Sequence, residues 1–189
     1  MEELAVEGWS FSKGIVKTAS GSCFLECGNT QVLCTVKSPK EFEELLSSEE
    51  YIRHSQAILS IKSPMAQHLT TAFNSAVLLE SYPKSVIEIS IQVVRGETKL
   101  QHLVNAASIA LMDAGIRMKD ILIATQVGWE ESPKVMSESN PLVIGLLVHT
   151  EQIALLVQEG CLSLTQTQRM LEAGFDTCKA FANYVKESF

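Results

Sequence analysis

The stretch from Ser85 to Gly115 limits what this chain can fold into more than any other. Val86-Ile87-Glu88-Ile89-Ser90-Ile91-Gln92-Val93-Val94 is dense in β-branched residues. Period-two alternation puts Ile87, Ile89, Ile91 and Val93 on one face, so the segment reads as a strand with that face in the core. After Arg95-Gly96-Glu97-Thr98-Lys99, apolar residues recur at Leu100, Leu103, Val104, Ala107, Leu111 and Ala114, the spacing of one helix face. Asp113-Ala114-Gly115 ends that helix, because Gly115 can take the left-handed backbone that a helix C-terminus often needs.

The remaining elements follow from the same rules. Gly8 and Gly14 flank Trp9 and Phe11 in a short edge strand. Strands run from about Ser22 to Glu26 and from about Gln31 to Lys37, joined by Gly28-Asn29 in a tight hairpin, and Ser38-Pro39 stops the second. The acidic run Lys40 to Glu50 reads as a surface excursion or a short helix. Ala57 to Ile61 is a strand, and after the Ser63-Pro64 turn a helix carries Leu69, Ala72, Phe73, Ala76, Val77 and Leu79 inward until Pro83. Ile121 to Val127 is another strand, and Gly128 to Pro141 is polar and turn-prone. Leu142 to Val148 and Ile153 to Val157 form an antiparallel pair across His149-Thr150-Glu151. A capping box at Thr165 and Gln168 opens a long amphipathic helix marked by Leu171, Gly174, Phe175, Cys178, Ala182, Val185 and Phe189. This order predicts an α+β protein with helices packed on a mixed β-sheet, and one domain over residues 1–189.

Composition narrows the function. With 189 residues, 46% of them apolar, the chain can bury roughly 70% of its unfolded surface. A net charge of -7 argues against gripping nucleic acid through an overall field, so any nucleic-acid contact must be local or shared with partners. The five cysteines match neither a zinc site nor a secreted disulfide framework and read as reduced, buried thiols. No apolar run approaches the roughly 20 residues needed to span a bilayer, and no leader is evident, so an intracellular protein is expected. The histidines His54, His68, His102 and His149 show no paired spacing, so no metal, cofactor or nucleophilic triad is expected.

Tyr82-Pro83-Lys84-Ser85 followed by Ala106 to Ile116 resembles the core of the RNase PH family, which includes the RNase PH-like subunits of the RNA exosome. Gly21 to Val36 resembles that family's first hairpin. The resemblance implies an RNase PH-like fold over nearly the whole chain. Active relatives are phosphorolytic: inorganic phosphate attacks the terminal phosphodiester of single-stranded RNA and a nucleoside diphosphate leaves. That chemistry needs an anion cradle at a helix N-terminus and a carboxylate pair near the scissile bond.

Neither half is intact here. Ungapped alignment from Ala106 puts Leu100 where the cradle arginine belongs and Lys99 where the hydroxyl belongs. A one-residue shift leaves Gly96, Thr98 and Lys99 as a remnant phosphate site, with Glu97 adding a negative charge. The carboxylate positions fall on Pro141 or Asn140 and on Val135 or Lys134, with Glu138 nearby and Glu130 and Glu131 further up the loop. Arg53 is a possible RNA contact whose other reading is solvated surface charge. The resemblance therefore implies a non-catalytic core subunit of the eukaryotic RNA exosome. Its expected partners are other RNase PH-like chains in a six-membered ring, S1/KH-type cap proteins and single-stranded RNA in the channel, and its expected places are the nucleus, including the nucleolus, and the cytoplasm. The alternative is an active exoribonuclease using Thr98 and Lys99 for phosphate and Glu138 as the acid.

Overall fold

The computed structural model describes residues 8–41 and 56–189. Among these residues the order is β1 (Trp9–Lys13), β2 (Gly21–Cys27), β3 (Thr30–Glu41), β4 (Ile58–Lys62), α1 (Ala66–Ala76), β5 (Ser85–Arg95), α2 (Leu100–Asp113), β6 (Leu122–Trp129), β7 (Pro133–Val135), β8 (Leu142–Leu147), β9 (Gln152–Gln158) and α3 (Leu164–Glu187). A five-stranded sheet runs β1-β2-β3-β5-β4 and a four-stranded sheet runs β7-β6-β8-β9. β4 pairs parallel with β5 while the other neighbours are antiparallel, so the first sheet is mixed.

The β5 and α2 unit forms as its pattern dictates. Ile87, Ile89 and Ile91 of β5 are buried. Gly115 takes φ 66°, its N–H donates to the Met112 carbonyl and the Ile116 N–H donates to Leu111, which closes the end of α2. In α2 every residue from Leu100 to Leu111 is buried, because the helix packs on β2 and β3 on one side and on β6 and β8 on the other. Small residues permit this closeness. A β-carbon on Gly21 of β2 would run into the backbone of Ala114 and of Ala110. On the opposite side Asn105 spans to β6, donating to the Ala124 carbonyl at 2.9 Å and accepting from the Ala124 N–H at 2.7 Å.

Four boundaries differ from the sequence pattern. Pro39 does not stop β3, which runs on to Glu41, so Lys40 and Glu41 belong to the strand. Lys37 pairs with Glu88 but Lys40 with Val86, an extra residue that makes a bulge and accommodates a proline lacking an N–H. Helix α1 ends at Ala76 rather than Pro83, because Val77 turns extended at ψ 139° and bridges Met118. The loop expected from Gly128 to Pro141 contains β7, which pairs with the end of β6. The capping box of α3 is Ser163 with Gln166, two residues before the one expected, so the helix starts earlier. The expected excursion over 42–50 lies outside the described residues. All five cysteines are free, and Cys161 is exposed instead of buried.

The β8–β9 turn is built by a distant carboxylate. Asp120, just before β6, accepts from the N–H groups of Ile121, His149 and Thr150 at 2.7, 2.6 and 2.9 Å. Its Oδ1 also lies 2.8 Å from His149 Nδ1, and its Oδ2 takes the Thr150 hydroxyl at 3.3 Å. Burial alone would raise the Asp120 pKa, but the hydrogen bonds from Thr150, His149 and Ile121 outweigh it and hold the carboxyl below its ordinary value.

Two stability tests follow from this packing. His102 of α2 is 2% exposed, packs edge-on to Trp9 at 5.1 Å, and has no hydrogen-bond partner at either ring nitrogen. Burial, then the nearby Lys99 ammonium, pushes its pKa from 6.5 down to about 4. Between those values the unfolded chain takes up a proton that the folded chain refuses. Stability therefore falls as pH drops through that window, by on the order of 3 kcal/mol at its lower end, and this contribution is flat above it. Denaturant unfolding of His102→Leu across pH 7 to 4 should show a shallower decline than the parent; parallel curves would show that His102 does not carry it. Gly21→Ala should cost about 1 to 3 kcal/mol in the same assay, because only backbone shifts in α2 can relieve the overlap.

Candidate functional site

The site is built at the N-terminus of α2. Lys99 is the residue before the first turn, extended at φ −108° and ψ 131°, and offers no side-chain acceptor to the helix. Its carbonyl takes the N–H groups of His102 and Leu103 at 3.1 and 3.3 Å. With no side-chain cap, the first-turn amides make this end electropositive, the kind of end that receives anions. Gly96 takes φ 85°, and a β-carbon there would come within 2.7 Å of the Asn29 carbonyl and of Thr30 Cα, so the turn lies against the β2–β3 hairpin. Thr98 and Lys99 then border a cleft of about 280 Å³ whose other walls include Met65 and His68 at the head of α1, Gln126, Pro141, Val143, Val157 and Glu159.

The electrostatics of that end are internally satisfied. Lys99 Nζ lies 2.7 Å from Glu138 Oε1 and 3.5 Å from Glu97 Oε2. The hydrogen bond that Lys99 donates to Glu138 is the main cause that raises the Lys99 pKa, and Lys99 in turn lowers that of Glu138. Both carboxylates are largely exposed, so the pair adds little to stability. Its effect is on charge: the ammonium faces two carboxylates.

The other expected positions divide. Leu100, where an arginine would be needed, is buried. Pro141 lines the cleft, Asn140 turns away at φ 46° with its side chain against Gly160, Val135 lies in β7, and Lys134 bridges Glu130 at 3.4 Å. Glu130 also accepts from the Ser137 hydroxyl at 3.0 Å, which, with Lys134, lowers its pKa. The structure thus pairs Lys99 with Glu138 and sets Thr98 beside Lys99 on the cleft wall, while Glu130 is occupied by its own loop. Arg53 lies outside the described residues. Among the described residues no cluster of three or more His, Cys, Asp or Glu could hold a metal ion.

Two residues beneath the cleft were missed in the sequence. Gln101 Nε2 donates to Gln126 Oε1 at 3.2 Å, and Gln126 Nε2 donates to the Ser137 carbonyl at 2.8 Å. This chain of amides ties α2, β6 and the loop that carries Glu138 into one unit. The signal was present in Gln101, Asn105 and Ser108, a polar stripe at helical spacing within an otherwise apolar segment. A larger cavity of about 400 Å³, between β4, α1 and Lys119, shares no lining residue with this cleft.

Comparison with known proteins gives the architecture a family. The RNase PH model, described as the 3' exoribonuclease family, domain 1, matches residues 9–117. The human exosome complex component RRP41 is 29% identical over 187 residues, covering 85% of this chain and 76% of that protein. A Caenorhabditis briggsae relative bearing the RRP41 name is 35% identical over 140 residues, covering 65% of this chain and 58% of that protein. The crystal structure of rice (Oryza sativa) Rrp46 superposes with a TM-score of 0.80 at 18% identity over 95% of this chain and 93% of that one, a likeness of fold. With its five-stranded mixed sheet, its second antiparallel sheet and a family match over more than half its length, the chain belongs to the RNase PH family.

Proposed function

We propose that this chain is a structural subunit of an RNA exosome ring, without a phosphorolytic centre of its own, that helps shape the path of single-stranded RNA toward a nuclease elsewhere. The observation that carries the reading is the 2.7 Å pair between Lys99 and Glu138 at the anion-receiving end of α2. Phosphate binding there would need a free, bidentate cation, whereas this ammonium already meets carboxylates and Leu100 has no charge. The positions expected to hold the carboxylate pair, Pro141 or Asn140 and Val135 or Lys134, carry no acid. The exosome names of the relatives support the ring. Its neighbours in this reading are other RNase PH-like chains of a six-membered ring and S1/KH-type cap proteins, in the nucleus, including the nucleolus, and in the cytoplasm.

A second reading, a phosphate-dependent 3'-to-5' exoribonuclease, draws on one observation: Thr98 and Lys99 border a cleft with Glu138 beside them. One pair of measurements separates the two. An affinity-tagged copy recovered from its own cells should come out in a large assembly with other RNase PH-like chains at one copy each. The purified chain, given single-stranded RNA and inorganic phosphate, should release no nucleoside diphosphate above a no-protein control. Recovery of the chain alone would overturn the ring. Phosphate-dependent release abolished by Lys99→Ala would make the chain an enzyme.

A further inference from the structure

The four-stranded sheet is covered unevenly, and the uncovered part is apolar. Helix α3 packs on β6, β7 and β8 but hardly reaches β9, the edge strand. A register shift between Gly145 and Leu146 leaves Ala154 as an extra residue in β9, so Leu156 stands opposite Ile144 and Ile153 opposite Leu146. Ile144 belongs to the cluster that packs on Met170 of α3, which places Leu156 and Ile153 on the α3 side of the sheet, beyond the helix. They are 49% and 44% exposed.

The flank of α3 that faces this strand is also incompletely covered. Lys179 reaches Glu151 at 2.6 Å and Lys186 reaches His149 Nε2 at 3.0 Å, so the stripe containing those lysines looks toward the β8–β9 turn. Helical spacing puts Leu164, Gln168, Leu171 and Phe175 on the same stripe. Leu164 is 86% exposed, while Leu171 and Phe175 are half-buried. Strand and helix together form a ledge: an open backbone edge beside an apolar floor. Monomeric proteins usually blunt or cover such an edge, and the bulge at Ala154 blunts only its first half.

We infer that this ledge is a subunit contact that receives an edge strand of a different RNase PH-like chain, one with apolar residues facing α3 and a lysine or arginine at one end; the inference rests on the ring reading above. A strand satisfies both features, since its backbone pairs with Leu155 to Gln158 while its side chains cover Leu156 and Leu164. Charge selects its source. Just past the C-terminal end of β9, Glu159 is an exposed acid that forms no ion pair with a described cation, and Glu172 on α3 is a second, taking the Gln168 amide at 3.4 Å. At the turn end, the ammonium groups of Lys179 and Lys186 are already engaged by Glu151 and His149. A second copy of this chain, paired antiparallel, would offer Glu159 only those engaged lysines, and paired parallel would offer its own acids. A chain with an unengaged basic residue fits better.

The test compares tagged full-length parent with the double variant Ile153→Glu and Leu156→Glu, both expressed in the native cells. Because both positions are surface-exposed, the thermal melts should coincide, so the recovered assembly reports the contact. The variant should lose at least one RNase PH-like neighbour by about tenfold or more relative to the parent, as hot-spot truncations do. Glu159→Lys should weaken the same neighbour. In the parent assembly, the amides of Leu155 to Gln158 should exchange more slowly than in the free chain. If the parent is recovered without RNase PH-like chains, the ring reading itself fails. If parent and variant bring the same chains at the same stoichiometry, the ledge inference alone is overturned. Loss of only a cap protein or only RNA, or a homodimer of the purified chain that the variant breaks, would also overturn it by naming another occupant.

Discussion

A helix buried around its whole circumference is the constraint from which the rest of this structure follows. It cannot present a polar face to water, so every polar group on α2 must find a protein partner or remain without one, and every neighbour must come close enough to exclude solvent. Gly21 and Ala110 supply the closeness on the side of the first sheet, and Asn105 supplies the partnership on the side of the second. His102 and Ser108 show the cost, with buried polar atoms that no protein group meets. Fixing this axis also fixes where the N-terminus of α2 points, and therefore where Thr98 and Lys99 stand.

Much of the fold was legible because its signals are local. Alternation in β5, the 3.6-residue period in α2, the left-handed Gly115 and the Gly28-Asn29 turn each specify geometry within a few residues. The misread boundaries are those where a distant partner overrides local preference. Pro39 stays in β3 because β5 accepts a bulge beside it, and Val77 leaves the helix because Met118 is there to bridge it. β7 is only three residues long and exists because β6 offers it an edge. Of two overlapping Ser/Thr-x-x-Gln patterns before α3, the sequence does not rank Ser163 above Thr165, and the helix is capped by the first.

The candidate site follows the same division. Thr98 and Lys99 are found by counting along one helix. The meeting of Lys99 with Glu138 joins residues 39 apart, and Glu138 drew notice only as an acid near an expected position. The intervening chain makes the meeting geometric: Gln101, Gln126 and the Ser137 carbonyl hold the loop against the helix one residue before Glu138. A pairwise charge contact in this setting belongs to the scaffold as much as to the two side chains.

The Asp120 carboxylate bears on how far pieces of this fold can be treated as modules. The turn His149-Thr150-Glu151 contains neither glycine nor proline, and Glu151 sits at φ 52°, a backbone state that an ordinary side chain seldom adopts unaided. Its shape is written into residue 120, three strands earlier in the chain. The β8–β9 hairpin is therefore contiguous in sequence without being autonomous: as an excised peptide it would lack the group that folds its turn. In a chimera between family members, the crossover would have to fall before Asp120 for the hairpin to travel with its instructions.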